Sequence, residues 1–103
     1  MRETDRQLIA SLKQQQPFTG FRSQTDDGTE CKVQFIGRGE VAFYQEGERG
    51  LLLEALAGSG VIVARSIREW DTGEKVTASE RAAIIERVSD ALRQLGATKV
   101  EVV

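Results

Sequence analysis

The sequence predicts an α+β fold, with strands grouped in the middle of the chain and helices flanking them. Two patterns carry this expectation. From Phe18 to Val63, apolar residues mostly alternate with polar ones, the period of a half-buried strand, and glycines interrupt the run at hairpin spacing. After Thr77 the period becomes helical, and Ile84, Ile85, Val88, Leu92 and Leu95 fall on one face. Strands in a block, rather than alternating with helices, separate α+β from a parallel α/β arrangement.

The N-terminal stretch 1–17 reads as a short helical extension. Thr4 and Gln7 have capping-box spacing, Leu8, Ile9 and Leu12 share a face, Gln14-Gln15-Gln16 continue the helix, and Pro17 stops it. So short a helix is marginal alone and must dock its apolar face. Phe18 to Gln24 is a candidate strand, with a turn at Asp26-Asp27-Gly28. Cys31, Val33 and Phe35 then alternate with Lys32 and Gln34 as a second strand. Gly37 and Gly39 bracket Arg38 in a tight turn or bulge. Val41 and Phe43 form the inward set of the next strand, which leaves Ala42 and Tyr44 on its outer face. Glu46-Gly47-Glu48 turns the chain into a strand from Leu51 to Ala55, and Gly58-Ser59-Gly60 ends it. Val61-Ile62-Val63 is a short apolar strand inside the sheet.

Ser66 to Lys75 is irregular and contains Trp70, which reads as a large plug where sheet passes into helix. Thr77 and Glu80 form a capping box, and Gly96 stands where a left-handed C-terminal cap belongs. Lys99 to Val103 closes the chain as a strand. The expected whole is a short N-terminal helix, an antiparallel meander of about five strands, one amphipathic helix packed on the sheet and a C-terminal strand, in a single domain spanning 1–103.

A chain of 103 residues has room for one core, and 40% apolar residues is too many for a disordered segment. Cys31 is the one cysteine, so no intramolecular disulfide forms, and the polar start does not read as a signal peptide. Both features lead to the expectation of a reducing, cytoplasmic setting. The longest apolar stretch, Leu51 to Ala64, is broken by Glu54 and by Gly58-Ser59-Gly60 and is too short to cross a membrane.

Catalytic chemistry finds little footing. The chain has no histidine, which excludes Ser-His-Asp and Cys-His arrangements, and one cysteine cannot build a zinc site, so no metal or cofactor is expected. Lys32 is adjacent to Cys31 but points to the opposite strand face, and Cys31 reads as a small buried apolar residue. Glu54 interrupts an apolar run and reads as an outward strand position. The glycine clusters lack the Gly-Lys-Ser/Thr of a phosphate cradle.

The stretch from about Val33 to Leu95 resembles the immunity protein 74 family of bacterial polymorphic toxin systems. The likeness rests on Gly37-Arg38-Gly39-Glu40-Val41, Tyr44-Gln45-Glu46-Gly47, a leucine-rich strand, Ser66-Ile67-Arg68-Glu69-Trp70, and Gly73-Glu74-Lys75-Val76-Thr77 leading into the helix. The resemblance implies a cytoplasmic protein that binds and neutralises a cognate toxin domain, without enzymatic activity or cofactor.

Charge distribution points to a basic partner surface. Residues 24–54 carry seven acidic groups against three basic ones, while the flanking segments are balanced or basic. That middle segment repels nucleic acid and attracts a basic protein surface. Asp26, Asp27, Glu30, Glu46 and Glu48, on turns at one or both ends of the meander, are the candidate contacts, with Tyr44 as a buried anchor at the interface. The alternative expectation is a self-assembling module that pairs copies through an open sheet edge or the mixed face around Ala42, Tyr44 and Leu52.

Overall fold

The computed structural model of the chain describes residues 2–103. Helix α1 (Glu3–Lys13) leads into strands β1 (Phe21–Gln24), β2 (Glu30–Ile36), β3 (Val41–Glu46), β4 (Arg49–Leu56) and β5 (Val61–Ile62). A 3-10 turn (Ala64–Ser66), helix α2 (Ala78–Gln94) and strand β6 (Glu101–Val102) complete the order. The sheet order is β1-β2-β3-β4-β5-β6; the first five strands run as an antiparallel meander, and β6 returns parallel to β5. The expected α+β architecture is therefore the observed one.

Side-chain alternation assigns the two faces. Phe21, Val33, Tyr44 and Leu51 are in register across four strands, as are Phe35, Ala42 and Leu53 across three. These rows face α2, whose Ile84, Val88, Ala91 and Leu92 bury against them, and Trp70 and Ile67 fill the space where the chain leaves the sheet. The reverse rows hold Lys32, Gln45 and Gly50, then Gln34, Phe43 and Leu52. Helix α1 lies on that side: a Cβ built on Gly50 would stand 2.9 Å from Ile9 Cγ2 and 3.2 Å from Phe43 Cε1. Ile9 and Phe43 are both fully buried. Lys13 anchors the helix end by bonds to the Glu48 carbonyl and the Asp71 carboxylate.

Several expectations need correction. Tyr44 is not outward but fully buried under α2, and Ala42 goes with it. Leu52 points the other way, so the mixed face of Ala42, Tyr44 and Leu52 does not exist as one surface. Phe43 was expected inward and is buried, but beneath α1, because both faces of the sheet are covered. Thr4 does not cap α1. The helix begins two residues earlier than such a cap would set, at Glu3, with Arg2 at the N-cap and no side-chain cap bond, so Thr4 is already within the first turn. There Glu3 and Asp5 complement the positive end of the helix dipole. The helix ends at Lys13, short of the three glutamines. Leu8 is exposed while Ile9 takes the docking position. Leu95 is exposed as well, because it is the C-cap of α2, where the chain leaves the helical stripe.

Other local signals hold. Thr77 and Glu80 form the reciprocal capping box, with Thr77 Oγ1 accepting from Glu80 N at 3.1 Å and Glu80 Oε1 accepting from Thr77 N at 2.9 Å. Gly96 takes φ 105°, the left-handed conformation expected just past a helix end. Glu54 is exposed. Among the described residues no helix is long and apolar enough to cross a membrane.

The contact at Gly50 yields a test. Gly50→Val should push α1 off the sheet and cost about 1–3 kcal/mol, the range for overpacking a close contact. Amide exchange should accelerate in α1 and much less in β2 to β4. Equal acceleration in all three strands would show that α1 is not a separately docked element.

Candidate functional site

Both acidic turns lie at one end of the sheet. The β1–β2 and β3–β4 hairpins turn there, and the Gly47 N–H donates to the Glu30 carbonyl at 2.9 Å, tying one turn to the start of the neighbouring strand. Beside them α2 crosses the sheet without covering β1. The space left open is a groove of about 870 Å³, bounded by the β1–β2 hairpin on one side and the flank of α2 on the other. Ala83, Glu86, Arg87, Asp90, Ala91 and Gln94 supply that flank at helical spacing, next to the stripe that enters the core.

The groove is acidic. Asp26, Asp27, Glu46, Glu86 and Asp90 line it, against Arg87; Arg22 borders it too, but its guanidinium is turned to the opposite sheet face, onto Glu30. Its volume lies within the rough 300–1,000 Å³ range of small-ligand pockets, but such pockets are mostly apolar and enclosing. This one is open, and charged or amide side chains dominate its walls. It is an open, polar concavity rather than an enclosing pocket.

The inner wall is a fixed network of charges. Tyr44 Oη donates to Glu46 Oε1 at 2.7 Å and accepts from Arg87 Nη1 at 3.0 Å, and Arg87 also approaches Glu46 at 3.4 Å. Arg49 links this group to the helix start: its Nη2 is 3.6 Å from Glu46 Oε2 and 2.8 Å from Glu80 Oε2. The guanidinium lies over Trp70, 4.1 Å from the ring centroid, a cation–π contact that also shields the indole from water. Trp70 Nε1 donates to Glu80 Oε1 at 3.5 Å, and its ring packs 6.1 Å from that of Tyr44.

The expected contact residues divide accordingly. Asp26, Asp27 and Glu46 are brought together in the groove. Asp27 is also structural: its Oδ1 accepts from the Thr25 hydroxyl, from Thr29 Oγ1 at 2.9 Å and from Thr29 N at 3.2 Å. Those bonds, that from Thr25 first, hold its carboxyl below the usual value. Glu46 is half-buried and engaged by Arg49 and Arg87. Glu30 is exposed at the start of β2, paired with Arg22 at 3.2 Å and Lys32 at 3.6 Å, outside the groove. Glu48 is exposed in the β3–β4 turn, and its carbonyl receives Lys13. Tyr44 lies too deep to touch a partner and serves as a support for Glu46 and Arg87. Trp70, Thr77, Glu80 and Gly96 have the structural places expected of them.

Sequence reading missed Glu86, Arg87 and Asp90. A signal existed: Glu86 and Asp90 are like charges four residues apart on one helix, an arrangement that costs a few tenths of a kcal/mol in isolation. Arg49 gave no signal, since its position over Trp70 depends on tertiary packing. Among the described residues no group of three or more cysteines and carboxylates is placed to hold a metal ion.

The network makes stability depend on pH at both extremes. The Thr77 N–H, as the leading influence, with Arg49 and Trp70, holds the Glu80 carboxyl below its ordinary value against the opposing effect of burial. A carboxyl with a lower pKa folded than unfolded stabilises the fold above its unfolded value, and that contribution disappears as pH falls through the folded one. Stability should therefore decline as pH drops below 4.5, and Glu80→Gln should make that decline shallower. Burial, then the bonds to Cys31 and Glu46, pushes the Tyr44 phenol up. Its contribution is complete below 10.0 and is lost as pH rises further and the unfolded chain ionises. Tyr44→Phe should remove the alkaline loss and cost about 1–2 kcal/mol at neutral pH. Thermal melts across pH check both; a variant whose melting profile parallels the parent would remove that residue from the account.

No protein-family model, no curated protein and no solved structure matches the chain. The resemblance to the immunity family thus rests on the quoted residues alone, and several of those, Ile67, Trp70 and Thr77 among them, are ones this fold uses to join sheet to helix.

Proposed function

We infer that this chain is a protein-binding module that neutralises a partner domain with a basic surface, as an immunity protein acting in the cytoplasm against a bacterial toxin domain. The observation that carries the reading is the groove between the β1–β2 hairpin and α2, where five carboxylates stand against the Arg87 guanidinium. An acidic concavity on a rigid frame suits a basic surface, and complementary charge raises the rate of encounter more than it raises affinity. The resemblance over Val33 to Leu95 supplies the class of partner. Chemistry on a substrate is a poorer reading, because Glu46 and Glu80 are held in ion pairs with Arg49 and Arg87 rather than left to take or give a proton.

The test of partner class is genetic. The C-terminal domain encoded by the adjacent upstream gene should be toxic when expressed alone in a bacterial host, and co-expression of this chain should restore growth and copurify with it. Toxicity without rescue would reject that pairing. The test of the surface is kinetic. Glu86→Lys combined with Asp90→Lys should slow association with the partner severalfold at low salt, with the difference shrinking as salt rises. Unchanged association would take the groove out of the interface.

A further inference from the structure

The groove lies beside an open edge of the sheet, and the hydrogen-bond alternation of β1 determines what that edge offers. Thr25 N–H donates inward to the Thr29 carbonyl at 2.9 Å. In an antiparallel pair such residues recur at every second position, so Ser23 opposite Cys31 and Phe21 opposite Val33 also spend their amide and carbonyl groups on β2. The same phase follows from β2, where the Glu30 carbonyl accepts from Gly47 and so faces β3 rather than β1. The residues between, Arg22 and Gln24, direct N–H and C=O away from the sheet along its open edge.

Proteins usually blunt such an edge with proline, a bulge or a charged side chain. Here the strand contains no proline. Its one charged residue, Arg22, is turned to the face opposite α2, where it lies 5.3 Å from the centroid of the Phe18 ring and pairs with Glu30. A strand laid along β1 would continue the sheet beneath the exposed flank of α2. Every second side chain of that strand would share the face of Phe21 and Ser23 and enter the groove opposite Glu86 and Asp90.

We propose that an extended segment of the partner carrying lysine or arginine at alternate positions adds to β1 as a further strand, its backbone bonded to Arg22 and Gln24 and its basic side chains in the acidic groove. This rests on the groove being the interface. Backbone bonds supply affinity in this mode of recognition, and the alternate side chains supply selectivity.

The probe is a synthetic heptapeptide of alternating lysine and threonine, with terminal charges blocked and a fluorescent label. Two controls accompany it: glutamate in place of lysine, and the lysine peptide N-methylated at alternate amides so that one edge cannot hydrogen-bond. Binding is read by fluorescence anisotropy against the intact chain, and by amide exchange at Arg22 and Gln24. The lysine peptide should bind, the glutamate peptide should not, and N-methylation of the bonding edge should weaken binding about tenfold, the equivalent of one or two hydrogen bonds. Gln24→Pro removes an outward donor without removing a bond to β2 and should weaken binding comparably, with its melting temperature verifying the fold. Both amides should exchange more slowly in the complex. If the methylated peptide binds like its parent and these amides stay unprotected, strand addition is wrong, while a response to Glu86→Lys and Asp90→Lys would still leave the groove as the binding surface. If lysine and glutamate peptides bind alike, the acidic groove itself is wrong.

Discussion

Trp70 is fully buried where the chain passes from sheet to helix, and one carboxylate organises its surroundings. Glu80 receives the Thr77 amide, which starts α2; it receives the indole N–H; and it pairs with Arg49, whose guanidinium closes over the ring. Helix start, core plug and strand β4 are thereby joined at one point. The position of α2 across the sheet follows from that junction, and so does the opening it leaves beside β1. A carboxylate that satisfies several donors at once is also hard to replace: without it a buried indole N–H would lose its acceptor and Arg49 its shorter ion pair, and unmade bonds of that kind cost more than formed ones contribute.

The charge arrangement separates support from display. Glu46 and Glu80 are held in place by Arg49 and Arg87, and Tyr44 braces the first of these pairs from below. Asp26, Glu86 and Asp90 lie outside that network on the groove walls, where their field reaches solvent. Ion pairs with partly buried partners are less screened by salt than exposed charges are. The frame is therefore less sensitive to ionic strength than the attraction it exerts.

How much of this the sequence discloses depends on how local each feature is. Helix α2, its capping box and Gly96 depend on neighbours a few residues away, and all three were readable. So were the hairpin turns and the burial of Trp70. The facing of β3 was not, because alternation yields two sets of residues without saying which is covered, and here α1 covers Phe43 while α2 covers Tyr44. The site was half readable. Asp26, Asp27 and Glu46 stood out as acidic residues in or beside turns. Glu86 and Asp90 did not, since nothing short of the docking angle of α2 shows that they face a hairpin far away in sequence.

The sheet is built almost wholly from consecutive neighbours: β1 to β5 pair in chain order, and only β6 reaches back to β5 across the whole of the Trp70 segment and α2. A hairpin closes a short loop, whereas the β5–β6 pair closes a long one and must wait until α2 has packed to bring its ends together. Contacts between near neighbours are also the ones that form fastest. The topology thus implies an order of assembly in which the meander and its acidic end take shape first, and the parallel pair at the opposite edge closes last, locking an arrangement already made.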